Sequence, residues 1–300
     1  MLLGIIYATS LGVWYFSSIE ESKIVTTTLT ALYIGVYLRL RERWTLRGAL
    51  LLMAILLAAC LNEIVAVFLV VIPAVDTLVQ RGLNFRQLRW IALHGLAGPA
   101  ALVFLEGVVN GILVPPGTLP EGASHFSMLR YYVLGNNFGA AEAHSLLVNW
   151  LFFSIAAPTP DTIYALPPWP TYRAYFEPVL ANYLSSPLSA GLAVLLGLMV
   201  VASVPPRFRV EAAGHLAGIL PALFAYTVLR GTFFFILNPL EGLLYSGPAI
   251  LAHLLLLGIP FAVSRIPAKQ WLLAAFAVLL LVTNGTFIVG ACGLLLKGCP

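Results

Sequence analysis

The sequence predicts an all-α fold, a polytopic transmembrane helix bundle of about nine spans with one long outer loop bearing amphipathic helices. Three observations predict it. The 300 residues are 60% hydrophobic and 9% charged, with a mean hydropathy of +0.95, whereas soluble domains carry about 25% charged residues. A helix needs about 20 apolar residues to cross a hydrocarbon core of about 30 Å. Candidates lie at 2–18, 24–40, 48–61, 64–80, 91–113, 186–204, 213–229, 246–264 and 271–291. Finally, eleven of the sixteen Lys and Arg residues fall in loops that threading places on one side: Arg39, Arg41, Arg43, Arg47, Arg81, Arg86, Arg89, Arg207, Arg209, Arg265 and Lys269. Cations accumulate on the cytoplasmic side. Most of the acidic residues fall on or toward the other side, leaving Glu42, Asp76 and Glu211 opposite.

These limits exclude several classes. The net charge of +4 is spread between apolar runs and makes no basic face, so no nucleic-acid partner is expected. Cys60, Cys292 and Cys299 form neither a disulfide framework nor a metal pattern. Phosphate-loop, dinucleotide, zinc-protease and serine-hydrolase signatures do not occur. The five histidines are dispersed, and no metal ligand set is read.

The first segment lacks a basic head and runs on toward a second apolar stretch, so it reads as a membrane helix with its N-terminus cytoplasmic, not as a signal peptide. Spans one to five make an N-terminal bundle over 1–113, followed by an outer region over 114–185 and a C-terminal bundle of four spans over 186–300. Within the first bundle, 48–80 must be a hairpin for the charge parity to hold. Its legs of 14 to 17 residues rise only about 21 to 25 Å. The tip, Asn62 and Glu63, is therefore submerged. Glu106 lies 15 residues beyond Ile91, just as Glu63 lies 15 beyond Gly48, which puts both about 22 Å above the cytoplasmic end. An ionisable group at such depth marks a functional site by default; the alternative is that Glu63 and Glu106 only lock helices together.

In the outer region "HFSMLRYYVLGNN" sets Phe126, Leu129, Tyr132 and Val133 at helical spacing with Arg130 between them, as in an interfacial helix or an ordinary helix capping the bundle. "PPWPTYRAYFEP" is aromatic and carries Arg173 and Glu177 at i,i+4. It suits a carbohydrate, a headgroup or an aromatic belt. Farther on, Arg230 falls at the outer end of the 213–229 span, before an aromatic run, a turn at Asn238-Pro239 and Glu241. Its guanidinium suits a phosphate held bidentately or a snorkelling contact with headgroups. Asn284-Gly-Thr is a formal glycosylation sequon inside the last span and is discounted.

The order "SLGVWYFSSIEESKIVTTTLTALYIGVYLRLRERW", then a hairpin with the polar tip "CLNEI", then a long outer loop, resembles the GT-C superfamily of membrane glycosyltransferases, in particular bacterial relatives of the protein O-mannosyltransferases. Trp14, Tyr15 and Phe16 before Glu20 or Glu21 match that family's aromatic helix end and acidic residue, and Asn62-Glu63 match its polar hairpin tip. The likeness covers roughly 1–115. It implies an enzyme of a plasma membrane that takes a sugar from a polyprenyl-phosphate donor and passes it to a protein, lipid or glycan on the outer face. The family's catalytic aspartate follows its first helix, whereas the loop "IEESK" here has none, so the resemblance places 1–47 further along the family fold. On this reading Glu20, Glu21 or Glu63 is the base, Arg230 with Arg130 holds the phosphate, and Asn62, Glu106, Arg173 and Glu241 contact substrate. The rivals are a carrier coupled through Glu63 and Glu106, and a non-catalytic scaffold.

Overall fold

The structure, a computed structural model, describes residues 2–13, 23–82, 85–105, 107–108, 139–157, 163–165, 174–176, 183–184, 186–203, 218–237, 245–264 and 266–298. The expected amphipathic helix around 126–137 lies outside them, as do Glu20, Glu21, Glu106, Arg130, Arg173 and Glu241. What is described is helical, except for two three-residue antiparallel strands, β1 (Ile163–Ala165) with β2 (Ala174–Phe176), in which the backbone of Tyr164 is in register with that of Tyr175. Among the described residues, three helices are long and apolar enough to cross a membrane: Ile64–Arg81, Ile219–Leu237 and Lys269–Gly290. Shorter apolar helices are Leu46–Asn62, Leu88–Phe104, Pro187–Met199 and Gly247–Ala262. Val194, Phe224, Val278 and Val289 are each at least 60% exposed, and apolar faces so bare suit lipid rather than water.

The described chain gathers into two units that interleave in sequence. One comprises residues 1–21, 139–212 and 239–300. Its helices are α1 (Leu2–Thr9), α7 (Ala140–Leu147) continued by a π-helical turn Val148–Phe153, α8 (Pro187–Ser203), α10 (Ile250–Val263) and α11 (Lys269–Gly298). Ile6, Leu196, Leu254 and Phe276 sit in its buried core. Past α1 the helix is interrupted at Ser10, and the N–H groups at the start of the next helical turn bond to the irregular stretch after the π-helical turn, Leu11 N–H to Ile155 O at 3.0 Å and Gly12 N–H to Ser154 O at 2.8 Å. A side chain on Gly12 would collide with Ile250, which explains a glycine at this approach.

Irregular backbone inside an apolar unit must find internal partners. Asn284 supplies them from α11: its amide donates to Thr9 O at 2.7 Å and Ile155 O at 2.9 Å, and its carbonyl accepts from Ala157 N–H at 2.8 Å. It is fully buried. Tyr183 completes the stretch by donating to Ala156 O at 2.7 Å.

The other unit comprises residues 22–138 and 213–238. It holds α2 (Lys23–Leu40), α3 (Leu46–Asn62), a 3-10 stretch Ile64–Val70 running into α4 (Val71–Arg81), α5 (Phe85–Gly95), α6 (Ala97–Phe104) and α9 (Ile219–Leu237). Helix α3 starts where the Thr45 side chain accepts from Gly48 N–H at 3.1 Å, an N-cap on the third helical residue. It ends at Glu63, whose φ of −152° and ψ of 106° are extended. The return begins as a 3-10 helix over β-branched Ile64 and Val65 and packs on α3 there, while α4 packs on α9. The segment expected at 213–229 is helical over Ile219–Leu237 instead. Arg230 is thus the twelfth of nineteen helical residues, not the outer end of a span, because Phe233–Phe235 continue the helix.

Asn284→Ala would strand the Ala157 N–H and the Thr9 and Ile155 carbonyls, each buried unsatisfied group costing about 1–3 kcal/mol. Thermal unfolding in detergent should show a loss of at least about 2 kcal/mol on that accounting. An unchanged midpoint would remove Asn284 from this role.

Candidate functional site: a buried cation pair on Glu63

Helix α2 carries a polar stripe at Thr26, Thr30, Tyr33 and Tyr37, one turn apart and all buried, with Lys23 above it and Arg41 just beyond. Threonine, tyrosine and charge on an apolar helix are expensive toward lipid and turn inward. Here the stripe faces three groups of partners.

At the Lys23 end it meets the break between α3 and α4. Asn62 Nδ2 donates to Thr26 Oγ1. The Glu63 side chain, 8% exposed, takes a hydrogen bond on Oε1 from Arg230 Nη2 at 2.5 Å, and its Oε2 lies 3.6 Å from Lys23 Nζ. Arg230 is fully buried and its guanidinium sits 5.0 Å above the centroid of Phe234, one turn on. Tyr226, one turn earlier on the same face of α9, lies beside Thr30 and Arg230. The formal charge of Lys23, Arg230 and Glu63 together is +1. Among the described residues, Glu63 Oε2 and Thr227 Oγ1 are buried and without a hydrogen-bond partner, while the Tyr226 hydroxyl interacts with Thr30 and Arg230.

In the middle, Tyr33 OH is 2.8 Å from His94 Nε2, and His94 Nδ1 is 2.9 Å from Trp90 O. A carbonyl only accepts, so Nδ1 carries the proton and Nε2 accepts from Tyr33. The Trp44 ring stacks on His94 at 5.8 Å and 21°.

At the Arg41 end the arrangement is closed. Asp76 accepts from Arg41 Nε at 2.9 Å and Nη2 at 2.8 Å, from Tyr37 OH at 2.5 Å and from Gln80 Nε2 at 3.1 Å. The guanidinium is bidentate and the pair is neutral. Gly218 packs so close to the Asp76 carboxylate and carbonyl that a methyl group there would collide with both.

Of the sequence-derived site residues, the structure brings Asn62, Glu63 and Arg230 together. It pairs Glu63 with Arg230, so neither group is open in this state to act as a lone base or a lone phosphate clamp. Lys23, Thr30 and Tyr226 were missed, although 23, 26, 30, 33 and 37 recur at the helical interval. Asp76 was also missed; its signal was the i,i+4 pairs Tyr37 and Arg41, Asp76 and Gln80. Among the described residues no cluster of three or more His, Cys, Asp or Glu side chains exists to hold a metal.

Breaking a buried ion pair by removing one partner costs about 3–5 kcal/mol, because a charge is left uncompensated. Glu63→Gln should therefore lower thermal stability by about that amount, while Glu63→Leu combined with Arg230→Met recovers most of it. A double-variant loss equal to the sum of the Glu63→Leu and Arg230→Met losses would show that the two residues are not coupled. No family model matches the sequence, and comparison with curated proteins and with solved structures returns no match.

Proposed function

We propose that the protein is a membrane glycosyltransferase that moves a sugar from a polyprenyl-phosphate donor to an acceptor on the outer face of a plasma membrane. The reading has nine spans and the N-terminus inside, which puts the Glu63 end of α2 toward the outer face and the Arg41 end toward the cytoplasm. The observation that carries it is the convergence of Lys23 and Arg230 on one buried point with a formal charge of +1. Such a point attracts an anion and repels a cation. A donor phosphodiester bears one negative charge and brings the cluster to neutrality.

The chemistry balances in the same place. The acceptor hydroxyl attacks the anomeric carbon as the bond from that carbon to the phosphate oxygen breaks, and the electron pair leaves with the phosphate. The acceptor proton passes to a carboxylate, which is Glu63 or one of Glu20 and Glu21. Negative charge thus moves from carboxylate to phosphate beside the same two cations, which stabilise it as it develops. A single displacement inverts the anomeric centre.

A second reading, a carrier, draws on the column of buried polar groups from Lys23 to Arg41, about 27 Å long at 1.5 Å per residue. The sign of the charge opposes a cation at Glu63, where a bound Na⁺ would leave +2 in an apolar surround.

Chain reconstituted in vesicles with a polyprenyl-phosphate hexose and a crude acceptor fraction should release polyprenyl phosphate. Arg230→Ala should slow that release by about 10²–10³-fold, the usual effect of losing one donor to a developing charge. A folded wild-type chain that consumes no donor sinks the transferase reading.

A further inference from the structure

Arg230, which the donor-binding reading assigns to a substrate phosphate, is already bonded to Glu63 through Nη2. We propose that Glu63 is a displaceable internal anion: it fills the Lys23–Arg230 cation pair while the site is empty, and the phosphate of a membrane amphiphile replaces it as Glu63 turns to the hydroxyls of Thr30 and Tyr226. The proposal rests on the donor-binding reading above and adds how that site is kept closed and how it opens.

Four observations support the exchange. The charges favour it: two cations hold one anion, so an arriving phosphate with a single charge neutralises a cluster that stands at +1. The receiving groups exist already, because the buried hydroxyls of Thr30 and Tyr226 lie beside Arg230. Glu63 Oε2 accepts no hydrogen bond and faces the Lys23 ammonium at 3.6 Å, a looser hold than that on Oε1. Glu63 itself stands on an extended residue between an α-helix and a 3-10 stretch, where hydrogen-bond geometry is poorer than in an α-helix and the backbone gives more readily. Asp76, by contrast, sits within α4 and is bonded on both oxygens.

The exchange also explains how one carboxylate serves as placeholder and base. While Oε1 is bonded to Arg230 Nη2 the carboxylate is not turned toward an acceptor hydroxyl. Release frees it to turn, and that release requires the donor phosphate to be in place.

The test uses purified full chain in neutral detergent with a membrane-permeant carbodiimide, reading modification of Glu63 by peptide mass spectrometry. A carboxylate locked to arginine reacts poorly. Farnesyl phosphate should raise labelling of Glu63 about tenfold, the change expected when a one-tenth population becomes dominant. Farnesol should leave it unchanged. Labelling that stays level or falls with farnesyl phosphate overturns the exchange, and an equal rise with inorganic phosphate at the same concentration overturns the amphiphile as its trigger. Glu63→Gln gives a second measure where it folds: with the competing anion gone, farnesyl phosphate should bind about tenfold tighter, and weaker binding overturns the proposal. Donor turnover without displacement removes this inference and leaves the transferase standing. Displacement without turnover does the reverse.

Discussion

A carboxylate inside an apolar unit has to find a cation, and in the unit built on α2 that requirement decides where the helices meet. Contacts between leucines tolerate a small rotation or slide, whereas a guanidinium on a carboxylate does not. Glu63 ties the break after α3 to α9, which follows 167 residues later in the chain. Asp76 ties α4 to the end of α2. Helix α2 is held at both ends, by Lys23 on one side and by Tyr37 and Arg41 on the other, and its threonines and Tyr33 fill the interval with hydrogen bonds rather than charge.

The two acidic centres differ in completeness, and the difference separates a brace from a site. Asp76 accepts four hydrogen bonds and its cluster is neutral, so an added ligand would have to break something already satisfied. Glu63 accepts one hydrogen bond, leaves Oε2 without one and sits in a cluster with an excess positive charge, next to the hydroxyls of Thr30 and Tyr226. Satisfied buried networks rigidify a core, while partly satisfied ones hold free energy that a ligand can release. One helix therefore carries a fixed end and an adjustable end.

Much of the helical plan was legible because length and apolarity alone set it. The turn at Asn62-Glu63 was legible too, since two polar residues interrupt an otherwise continuous apolar run and lipid punishes any other placement. The register of α9 was not. Its sequence offers no cap residue near 219 and an aromatic run, Phe233–Phe235, that reads equally as helix or as interface, so Arg230 was set at an end instead of in the interior. Nor could local pattern name partners: what Glu63 bonds to depends on a residue in a different apolar segment, and spacing along one helix carries no information about that. Lys23 was passed over because a lysine at a helix start is ordinary until a carboxylate is found opposite. Glu20, Glu21, Glu106, Arg130, Arg173 and Glu241 lie outside the described residues, so their part in the site rests on sequence alone.

Asn284 has a consequence for biogenesis. Thr9, Ile155 and Ala157 are translated long before it, by 275, 129 and 127 residues respectively. Until α11 leaves the ribosome their backbone groups have no Asn284 to bond, and water or the insertion machinery must serve in its place. The unit containing α1 is accordingly assembled late, by the arrival of one amide, although its first helix is made long before α11.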